Sequence, residues 1–273
     1  MNGMRAILFL GLCCAPALLS AKTRQEVISD AAAYASYSWT VERKNLKDVL
    51  RCEQGLMIPD SEGDGLDDRG QVGSTETATC AYYPSLWPFV VGSTVTGEAY
   101  AYGYWDTTGT FKTRLGLEDP SWIAAKRSED SLPPNYAGFT GLDCSGYISR
   151  LLGLGRHYST LELPEYGLKI STSVLKRGDF LDRYVIGADG NPEGRHAMVV
   201  KDVHPSSVTV YHATPNSFAT GTHERRVIEE TIKMWGADKL VYLWDARWSN
   251  KYYYYPYSPF PQFAWVRPSK DAP

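Results

Sequence analysis

Residues 195–213 read RHAMVVKDVHPSSVTVYHA. Two apolar, β-branched runs, 196–203 and 207–214, flank His204-Pro205-Ser206, a pattern that predicts an antiparallel hairpin. Side chains alternate along a strand, so His196 and His212 face the same side only if the connecting loop has an odd number of residues or a bulge restores the phase. Further strand-like runs at 179–186 and 239–245 follow a short helix that begins near Cys144. One helix followed by consecutive strands predicts an α+β fold with a central antiparallel sheet.

The helix is defined by Gly141-Leu142-Asp143-Cys144-Ser145-Gly146-Tyr147-Ile148-Ser149-Arg150-Leu151-Leu152. Tyr147, Ile148, Leu151 and Leu152 form its apolar stripe, Asp143 is placed to cap it, and Gly153 and Gly155 end it. A thiol in the first turn lies at the positive end of the helix dipole, beside unpaired N–H groups, both of which favour thiolate over thiol; the same N–H groups can receive an oxyanion. With an imidazole in reach, such a cysteine suits nucleophilic attack on a carbonyl. On the hairpin geometry His196 is the expected base and His212 the group that fixes its tautomer. An earlier helix is expected over 23–37, where Val27, Ala31, Tyr34 and Ala35 recur at helical spacing and Thr23 and Glu26 form a capping box.

The 273 residues are 43% hydrophobic, 22% charged and 13% aromatic, which excludes disordered, collagen-like and coiled-coil chains. A formal charge of -3 supplies no electrostatic footprint for nucleic acid. Arg5, the apolar run from Ala6 to Leu19, and then Ser20 and Ala21 read as a secretory signal peptide over 1–21. That run is shorter than the roughly 20 residues a bilayer crossing needs, and Pro16 interrupts it. The expectation is an exported protein, secreted or periplasmic at the cell envelope, with no stable membrane insertion after cleavage.

Of the five cysteines, Cys13 and Cys14 leave with the signal segment. Cys52 and Cys80 flank a Gly- and Asp-rich loop and are the expected disulfide, leaving Cys144 as a lone thiol. The loop between them carries Asp60, Asp64 and Asp68 in an alternation similar to a calcium loop. Gln71 stands where the bidentate Glu of an EF-hand would be, so a solvated acidic loop is the preferred reading and calcium binding stays open. Residues 104–140 are irregular, with Asp119-Pro120 and Pro133-Pro134, and read as a long insertion. Residues 252–265 read as a strand or extended tail packed on the sheet.

Taken together, these residues resemble the NlpC/P60 family of cell-wall peptidases, whose fold is papain-like. The resemblance rests on Asp143-Cys144-Ser145-Gly146, on Leu175-Lys176-Arg177-Gly178-Asp179-Phe180 as an "L-x-P-G-D" turn, and on His196-Ala197-Met198-Val199-Val200 as an "H-V-G-I-Y" strand. Tyr211-His212-Ala213 is similar to the strand of the third catalytic residue, and Gly97-Glu98-Ala99-Tyr100-Ala101-Tyr102-Gly103 to a "G-x-P-Y-x-W-G-G" element. Arg177 replaces the usual Pro, Met198 replaces a Gly, and the insertion at 104–140 separates the Tyr100 element from Cys144.

The resemblance implies a papain-like α+β core at 97–273, its helix packed on a central antiparallel sheet, with 22–96 as an N-terminal extension or cap. It implies Cys144 as nucleophile, His196 as base and His212 as the orienting third residue. Tyr100 would stand beside the nucleophile, and Asp143 and Ser145 would hold the free amino end of a peptidoglycan stem peptide. The implied reaction, needing no metal or cofactor, is hydrolysis of the γ-D-glutamyl to diamino-acid bond. Alternatives are a wall-binding module with an inert thiol, a related amidase or acyltransferase, and a zinc site of Cys144, His196 and His212 that lacks an obvious fourth ligand.

Overall fold

The computed structural model of the chain describes residues 22–42, 45, 89–101, 103–117, 123–124, 139–186, 192–238, 240–246 and 250–260. The expected signal segment at 1–21 and Cys52, Cys80, Asp60, Asp64 and Asp68 lie outside these residues. Helix α1 spans Arg24–Ser36 and begins with the expected capping box: Thr23 Oγ1 accepts from the Glu26 N–H, and Glu26 accepts from the Thr23 N–H. Strand β1 (Ser38–Thr40) then pairs antiparallel with β2 (Thr94–Thr96).

Helix α2 (Thr108–Gly116) lies within the region read as irregular. Its signal is brief. Thr107 caps it, and only Phe111 and Leu115, one turn apart, bury its face against Trp39, Val41 and Phe89. Strands β3 (Ile123–Ala124) and β4 (Phe139–Thr140) pair in parallel, and α3 occupies Cys144–Leu151. The remaining strands are β5 (Leu168–Lys169), β6 (Phe180–Ile186), β7 (Pro192–His204), β8 (Ser207–Asn216), β9 (His223–Ala237), β10 (Leu240–Asp245) and β11 (Asn250–Ser258).

Strands β6 to β11 pair antiparallel, each with the next, and β11 returns to pair with β6. The result is a closed six-stranded barrel, with β5 attached beside β11. This overturns the expected α+β papain-like core. Among the described residues strands predominate, with three α-helices, and the main sheet has closed on itself. Two strands account for the difference. The sequence of β9, HERRVIEETIKMWGA, carries so many charges that its apolar alternation is obscured. β11 is a strand, one of the two forms expected for 252–265, but it does not lie on a sheet face: pairing with both β10 and β6 removes the two edges an open sheet would leave.

Strand alternation sorts the apolar residues into two cores. Leu181, Met198, Val200, Val208, Val210, Ile232, Val241, Leu243 and Tyr254, drawn from all six strands, fill the barrel interior. Ala197, Val199, Tyr211, Ala213 and Val227 face outward and pack with Val27, Ile28 and Ala31 of α1 and Tyr147, Ile148 and Leu151 of α3. Burial at about 25 cal/mol per Å² of apolar surface makes these contacts, more than helix propensity, the source of stability for the eight-residue α3. Arg24 of α1 is clamped to the turn before β6, 2.7 Å from Asp179 Oδ1 and donating to the Arg177 carbonyl at 2.6 Å. α1 thus lies over β7, β8 and β9, and α3 over β7 and β8.

Candidate active site

The loop that delivers Cys144 is built by its own side chains. Asp143, in extended conformation, caps α3 by accepting the Gly146 N–H at Oδ1 (2.6 Å), and its Oδ2 accepts the Gly103 N–H at 2.8 Å. Gly146 is required by close approach: a Cβ there would lie 2.3 Å from the Tyr104 carbonyl oxygen. The 97–103 segment stitches this loop to the barrel. Leu142 and Ala101 exchange backbone bonds with Ala99 and Leu142, while the Tyr100 N–H donates to the Arg225 carbonyl on β9 at 2.7 Å. Tyr100 is buried in the same cluster as Leu142 and Tyr147, and pairs with Leu142, two residues before Cys144.

Cys144 is buried, a free thiol at the first position of α3. Its sulfur receives the backbone N–H groups of Ala197 and Ser145, which places it one residue along β7 from His196. Burial pushes the thiol up, and the neighbouring Asp143 and Asp182 carboxylates push the same way. The two amide bonds offset this only in part. The helix N-terminus therefore does not yield a resting thiolate, as its position in sequence suggested; desolvation outweighs the dipole, and the sulfur rests as a thiol.

The two histidines meet because β7 contains one extra residue. The hairpin turn is Pro205-Ser206, with His204 opposite Ser207 and Asp202 opposite Thr209. Two residues in the turn alone would put His196 and His212 on opposite faces. Between Asp202 and Val200 the register shifts, leaving Lys201 as a bulge, and from there Val200 faces Val210 and Val199 faces Tyr211. Even-numbered positions now share a side. His196 Nε2 lies 2.7 Å from His212 Nδ1, and the Phe218 ring stacks on His196 with centroids 5.4 Å apart. Both histidines are buried, His212 completely.

A fourth residue completes the line, and sequence reasoning missed it. Glu230 on β9 places Oε1 2.7 Å from His212 Nε2. The ring N–H is poorly aligned with that oxygen, so the contact is chiefly charge–dipole or ionic in character. The carboxylate is otherwise held by Ser217 Oγ (2.7 Å) and by the N–H groups of Phe218 and Ala219 at 3.0 Å. Burial raises its pKa, but His212 and the two amides outweigh burial and draw it down to about 2. A signal existed in the sequence: Ile228, Glu230, Ile232 and Met234 share one parity of β9, an acid on an apolar stripe.

Asp143 and Ser145 do come next to Cys144, but their polar atoms are occupied within the protein. Ser145 Oγ donates to Asp143 Oδ1 at 3.0 Å, and His157 Nε2 lies 3.1 Å from both. Burial pushes the His157 imidazole down, yet the Asp143 carboxylate outweighs it and the net shift is upward. Among the described residues no three His, Cys, Asp or Glu side chains converge to hold a metal ion, so the zinc alternative lacks a ligand set there. Nor is any helix among them long and apolar enough to cross a membrane. Comparison with protein-family models, curated proteins and solved structures finds no match to this chain.

Proposed function

We propose that the protein is an exported cysteine endopeptidase of the NlpC/P60 kind, hydrolysing peptidoglycan stem peptides at the γ-D-glutamyl to diamino-acid bond. The observation that carries the reaction class is the contact of the Cys144 sulfur with the Ala197 N–H, beside His196 in its bond to a second buried histidine. The substrate is argued from the Asp143-Cys144-Ser145-Gly146 and His196-Ala197-Met198 motifs, and not from the fold.

The resting thiol makes base assistance necessary. His196 takes the Cys144 proton as the sulfur attacks the scissile carbonyl carbon, and the oxyanion is received by the backbone N–H of Cys144 and by that of Ser145, which the sulfur releases as it bonds to carbon. Collapse breaks the C–N bond, with the leaving amine taking the proton from His196, and leaves a thioester on Cys144. Water then attacks the thioester carbon and gives a proton to His196. The C–S bond breaks and the sulfur recovers that proton. Tyr100 walls the site beside Leu142. Purified cell wall incubated with the wild-type chain should release soluble fragments, and Cys144→Ala should release none; equal digestion by both would overturn the proposal. Mass spectrometry of products from defined muropeptides identifies the bond.

A further inference from the structure

We infer that Glu230 is a positioning residue, setting the proton arrangement of the His212–His196 pair and stabilising the positive charge that forms when His196 takes the Cys144 proton. This rests on the reading of Cys144 and His196 given above.

The proton arrangement follows from the distances. Glu230 stays ionised through the neutral range, so it cannot donate to His212. With Oε1 2.7 Å away, the carboxylate charge favours the tautomer that places the hydrogen on His212 Nε2, even off the N–H axis, over the one that places a lone pair there. A neutral His212 protonated on Nε2 has a bare Nδ1, which accepts from His196 Nε2–H across 2.7 Å. His196 therefore keeps its Nδ1 lone pair as the base. When Nδ1 takes the thiol proton, the Nε2 proton can pass to His212 Nδ1, moving the imidazolium charge next to the buried carboxylate. No proton is gained or lost in the pair beyond the one from sulfur.

The arrangement is built into the barrel. Glu230 is fixed by Ser217, Phe218 and Ala219, and the Phe218 ring in turn covers His196, so one loop secures the acid and shields the base. Titratable groups around the two rings are Glu230 from β9, Cys144 and its cap Asp143 from α3, Asp182 from β6, which acts on the sulfur, and Tyr254 from β11, whose ring meets Phe218. Of these, Glu230 brings its Oε1 within 2.7 Å of His212 Nε2.

The test uses the full chain with two readouts: alkylation of Cys144 by iodoacetamide across pH, followed at that residue by peptide mass spectrometry, and turnover of a defined muropeptide. In Glu230→Gln the acid limb of both profiles should move to lower pH by about one unit, because the histidine pair sheds its excess proton more readily without the carboxylate. kcat should fall by about 10²-fold with KM little changed. Ser217→Ala, which removes a loop bond and keeps the charge, should leave the limb in place. Glu230→Asp should fall between wild type and Glu230→Gln, and serves if the latter folds poorly. An acid limb that is unmoved or raised in folded Glu230→Gln would overturn the inference. If the wild-type chain is alkylated in this manner but cuts no muropeptide, the peptidase reading fails while the role of Glu230 is still decided by alkylation.

Discussion

His196 and His212 bond at 2.7 Å on one face of the β7–β8 hairpin because Lys201 is bulged out of the ladder between them. Deleting Lys201 should turn His196 to the other face. Residues 197–200 are Ala-Met-Val-Val, apolar on both sides, so the strand can flip phase there without burying a charge. Loss of Cys144 alkylation at neutral pH, with the circular dichroism of a folded barrel, is expected for the deletion. Lys201→Ala removes a surface pair with Glu229 and a contact with the Tyr211 ring, and should cost about 1 kcal/mol or less, with activity retained.

On the proposed mechanism His212 contributes orientation and charge dispersal, not nucleophilicity. His212→Ala should lower kcat on a muropeptide by about 10² to 10⁴-fold with a smaller change in KM, as expected for a group that acts in the transition state. The cavity it leaves beside Phe218 should also lower the thermal midpoint.

Glu230 gives stability a pH dependence with a definite sign. Its folded pKa of about 2 lies below the ordinary 4.5, so its contribution is complete above about pH 4.5 and is lost as pH falls toward 2. The stability difference between wild type and Glu230→Gln, measured by denaturant titration, should be on the order of 3 kcal/mol at pH 6 and mostly gone near pH 2.

Asp143 holds α3 in place and also raises the neighbouring thiol. Asp143→Asn keeps a capping oxygen but removes the charge, so alkylation of Cys144 should begin at lower pH, by ~0.5–1 unit. The Gly103 N–H loses its acceptor if the amide nitrogen takes the Oδ2 place, costing about 1–2 kcal/mol in thermal stability.

Gly146→Ala should be strongly damaging in the loop that carries Cys144, since its methyl would meet the Tyr104 carbonyl oxygen at 2.3 Å. A loss of about 2 kcal/mol or more, with reduced Cys144 reactivity, is expected from differential scanning calorimetry and alkylation.

Local features were legible in the residues because they arise from nearby chain. The Thr23–Glu26 capping box, the Asp143 cap, the apolar stripe of α3 and the hairpin strands all depend on groups within a few positions of one another. Even the condition for the two histidines to share a face could be stated from strand periodicity. Closure could not. Whether β11 lies over a sheet or joins its two edges depends on pairing Tyr255–Tyr257 with Phe180–Asp182, more than 70 positions apart, and no local propensity encodes that partner.

The amino-acid sequence by itself determined which side chains can do chemistry here: one cysteine at a helix start and two histidines on adjacent strands. Tertiary structure decided what they become. A one-residue bulge brings the histidines together, barrel closure buries them, and burial makes Cys144 a thiol needing a base where its helix position alone favoured a thiolate. Glu230 joins them from β9, a strand whose charges concealed it, because desolvation and long-range pairing act only once the chain has folded.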